Sequence, residues 1–479
     1  MEQKIKSIIA RLDSSEIAFA DVRITNTDYE AIGFENGSLK HYGNSAGSPA
    51  IGIRVLINGC FGFAGSKDLS EASVARLITK AKNNAIHGAL FQKEKLSFPP
   101  LPASICEYIH QPQIDPFTMS KADKMDYLNK LANAIKPAGK IVHSYVMAEF
   151  ERQEKYYANT EGSYSHTVVY NTLPVMGVIS ADSGQIQSRT WPGHMSAARA
   201  GFELFYQHQF GENTQRIIQE ATDLLDAPEI DEDRADIIIG GGHLALQLHE
   251  SVGHATEADR IFGQEISYAG KTFVKPDMLG RFHYGSEILN IYSDSTDPRG
   301  MGYHPMDDEG VPGRKVDIIK NGILVDQQTS RHIAHKLGLQ PSSNMKAAFA
   351  DDFPLVRMTN LCIAPGKGSL DELIRNTEHG YYLDFTKTWS IDDNRNNFQF
   401  TTEIGYRIDN GKITGLVKEP TYYGITPEFW NACDAICGEE EWAYHSTFHC
   451  GKGEPGQIMR LSHGVAPARF KNINVSVKL

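Results

Sequence analysis

Long apolar runs are missing from this chain. No stretch approaches the ~20 residues that carry a helix across a bilayer, so a membrane-spanning protein is not expected. Dense runs of Lys and Arg are missing too, and the formal net charge is −12, so the electrostatic footprint of a nucleic-acid binder is absent. Cysteine is scarce: six residues (Cys60, Cys106, Cys362, Cys433, Cys437 and Cys450) are scattered over 479 positions, which reads as reduced thiols and not as a disulfide framework. The N-terminus lacks the apolar core of a signal peptide. Ile5, Ile8, Ile9 and Leu12 instead fall at helical spacing among charges, an amphipathic helix, and the expected location is cytoplasmic. No G-x-S-x-G elbow occurs, which disfavours a serine hydrolase. Gly240-Gly241-Gly242 precedes a helical pattern without G-x-G-x-x-G or the P-loop Lys-Ser/Thr, so close strand-to-helix packing explains it better than nucleotide binding. Neither an internal repeat nor a low-complexity tract is present.

What remains is ordinary globular composition, 41% hydrophobic and 22% charged, in a chain too long for one core. The reading is an α+β protein: an N-terminal α/β domain (residues 1–227), then a β-rich C-terminal domain (residues 228–479) that carries the metal-binding helix described below. In the first half, Ala18 to Thr25 alternates like a half-buried strand, and IGIRVLI and CFGFAG flank the hairpin signal Asn58-Gly59. Apolar stripes at Val74/Leu77/Ile78/Ala81, Leu128/Leu131/Ala132/Ile135 and Ile217/Ile218/Ala221/Leu224/Leu225 predict three helices. The acidic, proline-containing segment Asp226 to Arg234 marks the boundary. Beyond it, ADIIIGGG reads as strand and turn, HLALQLHESVGHATEADRIFG as a helix, and the remainder as strands turning at Asn321-Gly322 and Asp409-Asn410-Gly411.

Within that helix, His249-Glu250-Ser251-Val252-Gly253-His254 holds the parts of a zinc hydrolase: two imidazoles to bind metal and a carboxylate to deprotonate water. The familiar H-E-x-x-H spacing puts its histidines about 40° apart around a helix, whereas five positions is about 140°. One π-type turn would bring both rings to one face, and Gly253 is read as making that distortion cheap. Catalytic zinc takes three protein ligands, and spacing leaves the third open among His445, His449, Cys450 and Glu257. Cys450, beside glycine and lysine, is read as able to sit in a tight turn as a thiolate. Glu257 could also serve as a partner orienting an imidazole.

With RVLINGCFGFA, ANTEG (Ala158 to Gly162), HESVGHATEAD, DDEGVP (Asp307 to Pro312), PLVRMTN (Pro354 to Asn360) and CGKGEPGQ (Cys450 to Gln457) in this order, the chain resembles the TldD/PmbA family of metallopeptidases, also described as modulators of DNA gyrase. The resemblance implies His249, His254 and Cys450 as zinc ligands and Glu250 as catalytic base. It also implies a dimer, with itself or with a PmbA-like paralogue, enclosing a cavity that admits short or unfolded polypeptides. Retention of the metal motif marks the TldD-like catalytic type. The stretch Ser342 to Asp352 departs from the glycine- and arginine-rich residues usual before the RMTN block, so substrate contacts do not carry over.

Other residues receive plainer readings. Cys433 and Cys437, in PEFWNACDAIC, read as core residues of a helix, and His243 as a helix-start residue. Asp307, Asp308 and Glu309 beside Gly310 and Pro312 read as a solvated turn. The function expected is zinc-dependent hydrolysis of peptide bonds. Its rival is a non-catalytic metal-binding subunit that regulates a partner, distinguished by a closed site of four protein ligands.

Overall fold

A computed structural model describes residues 1–265, 270–453 and 456–475. Its first half is built on long antiparallel strands. Phe19–Glu35 pairs with Ser38–Ile57 on one side and Ile141–Asn159 on the other, and Tyr164–Asp182 extends the sheet beyond Ile141–Asn159. The first strand runs ten residues past the alternating stretch seen in the sequence, absorbing irregularities between Thr27 and Tyr29 and between Gly33 and Phe34. Asn58 and Gly59 turn at φ 53° and 77°, the mirror-image turn that matches strand twist. Strands this long serve two cores. Val22, Ile53 and Val55 pack with Ile5, Ile8, Val74 and Leu77 of helices Glu2–Ala10 and Glu71–Gly88. Further along, Ile32, Phe34 and Phe150 pack with Leu128 and Ile217 of helices Lys121–Ala134 and Phe210–Asp223. Ser70 and Ser120 cap two of these helices by accepting from the Ser73 and Asp123 backbone N–H groups.

The second half is β-rich, so the whole is α+β. Arg234–Ile239 lies between His379–Ile391, parallel to it, and Ala468–Val475, antiparallel. A second sheet joins Ala443–Lys452 to Gln457–Val465 and on to Asn360–Ile363. Helix Gly241–Leu248 packs between the two sheets with every residue from His243 to Leu248 buried, and one core spans both sheets and the helix. An added Cβ at Gly240 would lie 2.5 Å from Asp384, and one at Gly241 2.6 Å from His445, so both glycines admit close packing.

Asp307, Asp308 and Glu309 form no solvated turn: each is about 2% exposed. Arg54 of the N-terminal sheet donates to Asp21 (2.6 Å), Glu309 (3.3 Å) and the Asp308 carbonyl (2.8 Å), and Lys155 donates to Asp308 (2.7 Å). Asp308 and Glu309 therefore clamp the two halves together, and burying their charges is tolerable because these cations come with them, whereas Asp307 accepts from three backbone N–H groups. Cys433 is not helical either. Helix Thr426–Asn431 ends two residues earlier and Cys433–Ile436 is a strand against Ala468–Val475, while both Cys433 and Cys437 are buried in the core as expected. No helix among the described residues is long and apolar enough to cross a membrane.

Candidate metal centre

The central helix does not continue at constant pitch. Gly241–Leu248 is α-helical, His249–Gly253 is a π-turn, and His254–Thr256 is a 3₁₀ turn. The His254 backbone N–H donates to the His249 carbonyl five residues back, which is the widened repeat needed to bring a five-residue spacing onto one face. The two imidazole centroids lie 4.6 Å apart, nearly perpendicular. Gly253 has a different reason from the one read in the sequence. Its φ of −55° and ψ of −64° suit any residue, but an added Cβ would lie 2.1 Å from the sulfur of buried Met358.

Cys450 arrives from the strand Ala443–Lys452, not from a tight turn. Its Sγ lies 3.4 Å from His249 Nε2 and 3.7 Å from His254 Nε2, and the three atoms are mutually within 4.8 Å. Metal–ligand bonds of ~2.0–2.3 Å at tetrahedral angles separate nitrogen and sulfur donors by about 3.5 Å, so this donor set fits a metal ion. The opposite nitrogens are occupied. His249 Nδ1 lies 2.9 Å from His463 Nε2, whose own Nδ1 donates to the Leu361 carbonyl, and His254 Nδ1 lies 3.0 Å from Glu257. Both Nε2 atoms are thereby turned toward the sulfur.

Period two along the strand puts Cys450 and Lys452 on the same face. Lys452 ties that face to the helix, with its Nζ 3.2 Å from Glu257 and 2.8 Å from Asp259, all within a buried cluster that Arg260 joins at 2.8 Å. Burial opposes ionisation of Glu257, but Lys452, His254 and Arg260 outweigh it and hold the carboxyl well below its usual range. Glu257 is thus placed as a partner orienting His254. Burial likewise works against a Cys450 thiolate, and the Arg357 guanidinium, with His254, more than reverses it. Arg357 also donates to the Cys450 carbonyl (2.6 Å). The other candidates lie elsewhere: His445 packs by Gly241, and His449 points to the opposite face of its strand, 3.2 Å from Glu149. Glu454 and Pro455 of the CGKGEPGQ block lie outside the described residues.

Glu250 accepts from Trp389 Nε1 (3.1 Å) and Arg395 (2.5 Å). Burial would raise its pKa, yet His249, His254 and Arg395 together lower it, leaving an ionised carboxylate. Trp389 and His194, whose rings lie 4.8 Å apart, line a cavity of about 880 Å³. Trp389, Arg395 and His463 were not read from the sequence, because each comes from a strand or loop more than 130 residues from the motif residue it serves, and Arg357 stood in the PLVRMTN block without a role. Lys452 stands in the CGKGEPGQ block, where strand periodicity puts it on the face of Cys450.

A family model described as the PmbA/TldA metallopeptidase C-terminal domain matches residues 232–477, and a model of domain 1 of the same metallopeptidases matches residues 20–85. The chain belongs to the PmbA/TldD family. Over 460 residues it is 27% identical to a protein named Metalloprotease from Methanothermobacter thermautotrophicus, covering 96% of this chain and 95% of that one. It is 26% identical over 484 residues, 98% of each chain, to the Zinc metalloprotease TldD homolog of Saccharolobus solfataricus. The solved structure of TldE from Thermococcus kodakarensis shares the fold of this PmbA/TldD chain with a TM-score of 0.73 at 16% identity, covering 99% of this chain and 100% of that one.

Proposed function

We propose that this chain is a zinc-dependent peptidase that hydrolyses short or unfolded polypeptides, with His249, His254 and Cys450 as metal ligands and Glu250 as general base. The observation that carries the reading is the convergence of two imidazoles and a sulfur, with the neighbouring Glu250 carboxylate held by Trp389, a residue that lines a large cavity. The name of the Saccharolobus relative supports zinc as the metal. Among the described residues no fourth His, Cys, Asp or Glu joins the three donors, which favours catalysis over a closed structural site.

When bound, the metal supplies Lewis acidity and makes water a nucleophile near neutral pH. The protein supplies the rest. Glu250, kept ionised by Arg395 and the histidines, takes the proton of the attacking water. Its hold on Arg395 weakens once it is neutral, which favours handing the proton to the leaving amine. His463 and Glu257 keep the imidazoles aimed, so little reorganisation accompanies the chemistry.

The same reading includes a two-domain division at Ala227/Pro228, supported by two cores built wholly from residues before it, while smaller clusters such as Leu224, Ala227 and Ile404 bridge the two sides. It includes a dimer with itself or a PmbA-like paralogue in the cytoplasm, supported by family membership and the fold shared with TldE. Metal analysis of purified protein beside a peptide-degradation assay tests the function. Activity that is lost with chelator and restored by zinc is expected, and activity unaffected by complete metal removal refutes it.

A further inference from the structure

A second cavity, of about 390 Å³, lies between the N-terminal sheet and the C-terminal segments around Met301–Asp308 and Lys346–Phe349. Its charges are unevenly matched. Lys155 pairs with Asp308, Arg460 pairs with Glu151 (2.8 Å), and Glu149 is held by Tyr29 and His449. Asp307 accepts from three backbone N–H groups, and burial, aided by Glu309, pushes it up to about 8, so it is neutral at physiological pH. Two basic groups remain without a carboxylate partner among the described residues, Arg199 and Lys346.

Arg199 is 9% exposed. It is held beside the Tyr108 and Tyr303 rings, with centroids 5.7 and 5.5 Å away, and donates one nitrogen to the Met301 carbonyl (2.9 Å). Its Nε and its other terminal nitrogen have no hydrogen-bond partner. A buried guanidinium with two unused donors is costly unless something accepts them. Lys346 faces the same space, and burial together with Lys155 and Arg199 draws it down to about 7, so it is only partly charged near neutral pH and an entering anion would favour its protonated form. An entering anion would satisfy both.

We propose that this cavity binds a carboxylate, the C-terminus of a short peptide or a small organic acid, through Arg199 and Lys346. A guanidinium fork matches a carboxylate in shape. The acids in the same wall disfavour a doubly charged phosphate. Tyr29, Glu149 and His449 line both this cavity and the larger one beside Trp389, so a peptide anchored here by its carboxylate has a continuous wall to follow. The proposal goes beyond the peptidase reading and stands without turnover.

Calorimetric titration of the full chain tests it, using N-acetyl-trialanine, its C-terminal amide, N-acetylalanine and inorganic phosphate, with mass spectrometry to check that the peptides stay intact. The acid should bind about 10- to 100-fold more tightly than the amide. Lys346→Met and Arg199→Met should abolish that preference, while Lys346→Arg retains it. Lys346 is only half-buried, so its variants remain informative should Arg199→Met fail to fold. N-acetylalanine matching the tripeptide supports a free acid as the source, and tripeptide binding alone supports a peptide C-terminus. Equal affinity for acid and amide overturns the proposal, as does a preference that survives in Lys346→Met or phosphate binding as tightly as the acid. Loss of peptidase activity with the acid preference intact would count against Glu250 and the metal, not against this cavity.

Discussion

Gly253→Ala separates two explanations of one residue. If glycine were present to let the backbone bend into the π-turn, alanine would be tolerated, since the observed φ of −55° and ψ of −64° lie in the ordinary helical region. Alanine would even gain up to ~1 kcal/mol in helix propensity. The packing argues the other way. The new methyl would sit 2.1 Å from Met358 Sδ, 3.2 Å from its Cε and 3.4 Å from Leu361 Cδ2. Met358 is 1% exposed and bends readily, but it has no solvent to bend into. Overpacking of this kind costs ~1–3 kcal/mol, so it should outweigh propensity and leave a net loss of up to ~2 kcal/mol. The displaced turn carries His254, so metal should be held less firmly as well.

A double-mutant cycle makes the test decisive. Met358→Ala alone should cost ~2–5 kcal/mol by opening a cavity. In Gly253→Ala/Met358→Ala the added methyl fills part of that space and the clash is gone, so the pair should be less destabilised than the sum by at least ~1 kcal/mol. Urea unfolding of the metal-free proteins measures both quantities, and zinc content after dialysis reports the site. Additive losses, or a Gly253→Ala protein as stable and as metal-rich as the parent, would refute the packing argument.

The sequence carried the metal motif well because its parts are local. His249, Glu250 and His254 lie within six residues, and the mismatch between their spacing and a regular helix points to the π-turn that the structure contains. Gly253 was assigned the wrong cause because its obstacle, Met358, lies 105 residues away and period arguments see only neighbours. Asp307 to Glu309 were misjudged for a related reason. Carboxylates beside Gly and Pro usually face water, and only the tertiary fold brings Arg54 and Lys155 across from the other half. Long-range partners such as His463, Trp389 and Arg395 had no sequence signal at all. Cys450 was reached through family resemblance, whereas strand periodicity alone would have put Cys450 and Lys452 on one face without saying what that face meets.

Further outcomes follow from the same geometry. Glu250→Gln should keep its metal and lose ~10²–10⁴-fold in turnover by steady-state assay, and near-parental turnover would remove Glu250 from its role. Cys450→Ala should lose zinc and activity together while Cys433→Ala keeps both, as metal content will show. Lys452→Met, which takes the cation from buried Asp259 and one of the cations holding Glu257, should destabilise the protein by ~3–5 kcal/mol in urea. The last expectation concerns acid. His304 is buried and donates from Nε2 to the Ser343 carbonyl (3.0 Å), and burial lowers its pKa from 6.5 to about 3. Above pH 6.5 it is neutral in both folded and unfolded chains and contributes nothing to the pH dependence. Between about 6.5 and 3 only the unfolded chain takes up the proton, so stability falls as pH falls, by about 1.4 kcal/mol per unit from this residue. Other groups titrate in the same range, so the measurement is a difference. Gln at 304 can still donate to Ser343 but cannot bind a proton, and the slope of unfolding free energy between pH 6 and 4 in His304→Gln should be shallower by about that amount. An unchanged slope would mean that His304 is not neutral in the folded protein at those pH values, or that its burial is relieved by a carboxylate which the present contacts do not contain.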